Sequence, residues 1–126
     1  MKTSDLSGSA LDWAVAKCEP DDTLGIYFDD QTGEALVHDD WPDFQQYTPP
    51  TNWAQGGPII ERECIELSFL GFDEIDEALP IWHACKYVRG VLKEEQGHTP
   101  LIAAMRCFVA SKLGEIVEVP DAIAQL

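Results

Sequence analysis

Basic residues are scarce in this chain: eight lysines and arginines stand against twenty-three aspartates and glutamates in 126 residues, for a formal net charge of −15. That balance repels a phosphate backbone and an anionic membrane, so neither direct nucleic-acid binding nor membrane binding is expected. Also lacking is any apolar run near the roughly eighteen residues of a membrane span. The N-terminus runs from Lys2 into Asp5 and Asp12 without the apolar core of a signal peptide. The four cysteines, Cys18, Cys64, Cys85 and Cys107, form no CxxC pair. They read as buried free thiols in a reducing cytoplasm, not as a disulfide framework. Internal repeats and composition breaks are missing too, so residues 1–126 read as one domain able to bury a modest core.

What is present is an ordinary hydrophobic share, 45%, which argues against wholesale disorder. The charge is uneven. Before Pro58 eleven acidic residues face two lysines; from Pro58 onward twelve face six basic residues. An acidic surplus of this kind serves solubility first, and a basic protein partner second.

Leu6, Ala10, Trp13/Ala14 and Lys17/Cys18 recur at helical spacing, predicting a helix over Leu6–Cys18 capped by Ser4 or Thr3, with Trp13 as a core anchor. Leu24–Asp29 and Glu34–His38 flank Asp30-Gln31-Thr32-Gly33, a hairpin signal whose carboxylates lack the ligand order of a calcium loop. Asp39–Gly57 is rich in turn residues and holds Trp41, Tyr47 and Trp53, so its aromatics should pin it or it should serve a function. Pro58 suits the first turn of a short helix through Glu63, followed by a strand at Cys64–Phe69. Gly71–Leu79 is expected to form a helical turn ending before Pro80, Ile81–Val88 a strand antiparallel to Cys64–Phe69, and Lys93–His98 a polar connection. The clearest element is a helix over Thr99–Leu113: Thr99 caps it, Pro100 opens it, Lys112 lies in its last turn and Gly114 ends it. Its apolar residues cover more than one side, which fits a central core helix or a homo-oligomer interface. Glu115–Val119 is expected to add a short edge strand.

Chemistry is harder to read. Arg106 lies mid-way along the apolar C-terminal helix, and pairing with Glu61 or Glu63 would spare it an uncompensated burial. The functional alternative makes Arg62 or Arg106 an anion contact beside a glutamate. Gly56-Gly57-Pro58 would present backbone N–H groups to an anion only if it opened a helix, and it lacks any phosphate-loop pattern; a tight turn is the simpler reading. His83-Ala84-Cys85 puts two metal-ligand types on one strand face, yet no spacing in the chain is zinc-like, so no metal or cofactor is expected. Ser68, Ser111 and the histidines form no nucleophile motif in sequence.

Three segments, ALDWAVAK within Leu6–Lys17, WAQGGPIIERE within Tyr47–Glu63 and TPLIAAMRCFVASKLGEIVEVP over Thr99–Pro120, resemble the small phage proteins of the NinX type. The resemblance implies a phage or prophage gene product in an enterobacterial host. It implies no catalytic activity, so Trp53, Gly56, Gly57, Pro58, Glu61, Arg62, Glu63 and Arg106 carry over as motif residues only. The fold expected is α+β: N- and C-terminal helices on a small, mainly antiparallel sheet. The function expected is a non-enzymatic accessory protein that binds a host or phage protein through its acidic surface. The alternatives are a small-ligand module or enzyme, and an acidic nucleic-acid mimic. Candidate ligand or partner residues are Tyr47, Trp53, Gly56, Gly57, Glu61, Arg62, Glu63 and Arg106.

Overall fold

The computed structural model of the chain describes residues 1–19, 25–28, 35–40 and 43–124. Its elements are arranged round the C-terminal helix α3, Pro100–Leu113. The Thr99 side chain accepts from the Ile102 N–H at 3.1 Å, and Gly114, at φ +87°, ends the helix with its N–H on the Ala110 carbonyl. Leu101, Ala104, Met105 and Phe108 are buried on one side, and Ala103, Cys107 and Ala110 on another. That circumference is covered by a three-stranded sheet and by two helices, α1 (Gly8–Cys18) and α2 (Trp53–Glu63). The broad apolar girth of α3 is therefore that of a core helix.

The sheet over α3 is antiparallel, in the order β4 (Glu66–Phe72), β5 (Pro80–Val88), β6 (Val91–Gly97). Central β5 alternates: Trp82 and Ala84 pack into the core, while His83 and Cys85 lie on the opposite face. The β5–β6 turn is Arg89-Gly90, at φ +51° and +81°, the two-residue turn whose positive dihedrals match strand twist. The segment Lys93–His98 is thus mostly strand. Its run Lys93-Glu94-Glu95-Gln96 hides the alternation because an edge strand keeps polar side chains on a solvated face.

Gly71–Leu79 is not a helical turn. β4 continues to Phe72 through a bulge at Leu70, with Gly71 at φ +112°. Beyond it the Asp73 carboxylate accepts from the N–H groups of Ile75 (2.8 Å) and Asp76 (3.2 Å), and Asp76 accepts from Ala78 (3.1 Å). These side-chain-closed turns satisfy the backbone that a helix would otherwise use.

α2 begins five residues earlier than Pro58 suggested. The Asn52 side chain caps the Ala54 N–H at 2.9 Å, so Trp53 opens the helix and Pro58 falls in its second turn, where it removes one intrahelical bond. Gly56 and Gly57 are helical, not a turn. A Cβ on Gly56 would come within 2.5 Å of the Pro49 carbonyl oxygen and 2.6 Å of Leu101, so that glycine lets α2 approach α3; Gly57 has open space. Gln55 anchors the preceding chain, accepting from the Thr48 N–H and donating to the Gln46 carbonyl, both at 2.6 Å.

The expected hairpin is present as β1 (Gly25–Phe28) and β2 (Ala35–Asp40), and a third strand, β3 (Asp43–Gln46), extends it within the stretch read as turns. The Asp30–Gly33 turn and Trp41 lie outside the described residues. Thr3 does not cap α1: its hydroxyl donates to the Gly114 carbonyl at 2.7 Å, and Ser7 precedes α1 without a side-chain cap. In place of an edge strand at Glu115–Val119, Met1–Thr3 pairs briefly with Glu115–Val117. The fold is α+β, with helices packed on a small antiparallel sheet as expected. Only Cys107 is fully buried; Cys18 and Cys85 are half-buried and Cys64 is exposed, at the left-handed residue that ends α2.

Candidate functional site

Arg62 and Arg106, the second of which was expected to pair with Glu61 or Glu63, occupy different surroundings. Arg62, near the end of α2, meets the Glu19 carboxylate with two hydrogen bonds of 3.0 and 3.2 Å, and Glu63 with a third of 3.0 Å. Glu19 follows α1 and its side chain is 2% exposed, so the fork ties the ends of α1 and α2 together. The guanidinium also lies over the Phe108 ring, 5.6 Å from its centre. Lys86 and Lys112 approach Glu63 at 3.0 and 3.4 Å. Burial alone would raise the Glu63 pKa, but hydrogen bonds from Lys86 and Arg62 hold it below the ordinary carboxylate value. The Arg62 pKa is raised, chiefly by the Glu19 hydrogen bonds. Beside this cluster Tyr47 is almost wholly buried, its hydroxyl close to the Glu19 carboxylate but without full hydrogen-bond geometry to any partner among the described residues. Burial, then the neighbouring Glu19 charge, pushes its pKa up.

Arg106 does not meet Glu61 or Glu63. Its guanidinium donates to the carbonyls of Leu6 and Gln96, each at 2.8 Å. It makes no ion pair among the described residues, and burial lowers its pKa while Glu95 and Asp5 oppose the shift from a distance. The expected pairing fails because α3 turns Arg106 toward the end of β6, while α2 ends beside Glu19 and Lys86. Arg106 lines an open cleft of about 470 Å³ with Asp73, His83, Glu94, Glu95 and His98. His98 Nδ1 lies 3.0 Å from the Pro80 carbonyl, an acceptor, so Nδ1 carries the hydrogen.

Across the open face of the sheet, Ser68, His83 and Glu94 form a row: Ser68 Oγ is 3.5 Å from His83 Nδ1, and His83 Nε2 is 3.0 Å from Glu94. The order resembles a nucleophile, base and orienter, but Ser68 sits on a flat strand. The Ser68–His83 separation is at the outer limit of a hydrogen bond, and the N–H groups of central β5 are taken up by ladders on both sides. The row reads as cross-strand hydrogen bonding. Cys18 and Cys107 are no better placed for nucleophilic work, since burial pushes them up to about 12. No group of three His, Cys, Asp or Glu that could hold a metal occurs among the described residues.

A second surface lies at the β4–β5 end of the sheet. Phe69 and Leu70 are 50% and 54% exposed, Phe72 59% and Ile75 98%, with Leu79 beside them. Phe69 and Phe72 pack edge to face, with ring centres 5.5 Å apart. Four carboxylates, Asp73, Glu74, Asp76 and Glu77, stand in the same loop. Backbone N–H groups of Ile75 and Asp76 hold Asp73 below the ordinary aspartate value, so it stays charged.

The match to known proteins falls on the same framework: residues 2–112 fit the model of the family described as Bacteriophage P22, NinX. The chain belongs to the NinX family. No curated protein matches it. Within this NinX-family chain the motif residues do not all converge on one site. Tyr47, Arg62 and Glu63 meet at the ionic cluster round Glu19, Gly56 is interior against α3, Gly57 is unobstructed, and Glu61 is exposed. Trp53, 58% exposed, borders a shallow groove with Pro50, Thr99 and Pro100. Arg106 alone lines the cleft. The residues that accompany it, His83, Glu94 and His98, had no common signal in the sequence, because their meeting depends on the β5–β6 register that pairs Cys85 with Glu94. The apolar surface did carry one: Phe69, Leu70, Phe72 and Ile75 fall within the seven positions 69–75, beside four carboxylates at 73–77, too many large apolar residues for a solvated turn.

Proposed function

We propose that this NinX-family chain is a non-enzymatic phage accessory protein that binds a basic host or phage protein in the host-cell cytoplasm. The observation that carries the reading is the surface at the end of the β4–β5 hairpin, where exposed Phe69, Leu70, Phe72 and Ile75 adjoin Asp73, Glu74, Asp76 and Glu77. Exposed apolar side chains close in the chain and flanked by charge of one sign suit a partner that supplies apolar anchors and the opposite charge. Affinity capture from infected-host lysate tests it, with wild type and a Phe72→Ser/Ile75→Ser double variant compared at low and moderate salt. A reproducible partner should be recovered, lost with salt, and lost with the variant while its circular dichroism is unchanged. Recovery of no partner at either salt, or equal recovery by the variant, sinks the reading.

A small-ligand function is the second reading, and the Arg106 cleft favours it. There a guanidinium without a carboxylate partner among the described residues shares an open concavity with His83 and His98. Glu94, Glu95 and Asp73 in the same wall weigh against a simple anion as the ligand.

A further inference from the structure

The two edges of the β4–β5–β6 sheet differ. On β6 the Gln96 carbonyl accepts from Arg106 and the Lys93 carbonyl from the Cys107 thiol, and the turn at Thr3–Asp5 lies against the strand. On β4, among the described residues, no hydrogen bond outside the β5 ladder reaches a backbone group of Glu66–Phe72. Phe69 and Leu70 are neighbours in sequence and both half exposed, so the covering that β6 receives is missing here. An uncovered edge offers alternate N–H and C=O groups to another extended chain.

We propose that the outer edge of β4 is completed by an extended segment of the partner, which adds as a fourth strand with apolar and basic residues in alternation. This rests on the protein-binding reading above and assigns its mode. The regular run Glu66–Phe69 supplies the pairing backbone, since the bulge at Leu70 interrupts the register. Apolar side chains of the incoming strand lie beside Phe69, Leu70 and Phe72, and its basic side chains reach Glu66 and the carboxylates of residues 73–77. Backbone pairing supplies affinity and alternate side chains supply specificity. Charge selects this occupant over a second copy of the chain, because two molecules of net charge −15 would bring acidic loops to one interface.

The probe is a synthetic peptide of about eight residues, a usual strand length, alternating valine and lysine with both ends blocked. One twin carries the same side chains but is N-methylated along its backbone, and another replaces lysine by glutamate. Titration followed by NMR reads affinity, and amide hydrogen exchange reads which backbone groups become protected. The lysine peptide should bind in a salt-sensitive manner and slow exchange at outward amides within Glu66–Phe69. The N-methylated twin should bind roughly tenfold or more weakly, the loss of two or three hydrogen bonds, and the glutamate twin should not bind. Equal binding by the N-methylated twin, or protection elsewhere, overturns strand addition. If the Phe72→Ser/Ile75→Ser variant then still fails to capture the cellular partner, the protein-binding reading survives that result. Absence of peptide binding overturns the proposal. So does protection of β4 without peptide together with a doubled mass in light scattering, which would give the edge to a second copy.

Discussion

Arg62 and Arg106 are both arginines on helices against one core, and they are neutralised in opposite ways. Arg62 is met by charge: Glu19 grips it with two hydrogen bonds and Glu63 adds a third. Arg106 is met by dipoles, the carbonyls of Leu6 and Gln96. A carboxylate fork leaves an arginine little capacity for a ligand, so Arg62 is a clamp between helix ends. Two carbonyls fix a guanidinium equally well but do not cancel its charge, so Arg106 brings a cation to the wall of an otherwise acidic cleft. Ion pairing consumes the site that carbonyl pairing preserves.

The largest effect that would test this contrast is at the clamp. Arg62→Ala leaves the Glu19 carboxylate buried without its counter-charge, and should cost about 3 kcal/mol of stability in denaturant unfolding. Adding Glu19→Gln should recover part of that loss, and a double-mutant cycle would measure the coupling. Strictly additive effects would mean that the fork stabilises nothing. Arg106→Ala removes two hydrogen bonds to carbonyls but strands no carboxylate, so a smaller cost of about 1–2 kcal/mol is expected by the same measurement. An Arg106 cost above that of Arg62 would reverse the comparison.

How far this was legible in the sequence depended on whether a feature was local. α3 was readable to within a residue because Thr99, Pro100 and Gly114 act on their own backbone. The β4–β5 pairing was also expected, since Ile81–Val88 and Cys64–Phe69 each show strand composition. α2 was started too late because Pro58 looked like an opening residue, whereas the Asn52 cap five residues earlier decides the boundary. The partners of the two arginines were not readable at all. Glu19 lies 43 positions from Arg62, and Leu6 lies 100 from Arg106 and contributes only a carbonyl, which every residue possesses. The family was legible because motif residues keep their order along the chain, yet in space those motifs divide between a clamp, a helix contact and a cleft.

A weaker effect separates the two arginines by pH. The Glu63 pKa is depressed in the folded state, so its contribution to stability is present above its unfolded value, near 4.5, and is lost as pH falls through the folded value. Lys86 and Arg62 share in it and the cluster is partly solvated, so a loss on the order of 1 kcal/mol is expected on acidification. Thermal unfolding from pH 7 down to pH 3 (about the span over which carboxylates protonate) should show this loss in wild type. It should be diminished in Glu63→Gln and retained in Arg106→Ala. An acid response unchanged by Glu63→Gln would detach the pH dependence from the clamp.

The smallest predicted change concerns Tyr47, which is buried with its hydroxyl close to the Glu19 carboxylate but without full hydrogen-bond geometry to any partner among the described residues. Burying an unpaired hydroxyl costs free energy that a hydrogen atom in its place does not. Tyr47→Phe keeps the ring that fills the core and removes the polar group, so stability should stay level or rise by up to about 1 kcal/mol. The same change beside an intact Arg62–Glu19 fork and in the Arg62→Ala background should differ in sign. Once the guanidinium is gone, Glu19 needs a donor, and the Tyr47 hydroxyl, already close to it, can close a full hydrogen bond. A loss on Tyr47→Phe in the Arg62→Ala background, against none in wild type, would show that the fork is what leaves the hydroxyl unused. Equal effects in both backgrounds would show that the clamp and the tyrosine are independent.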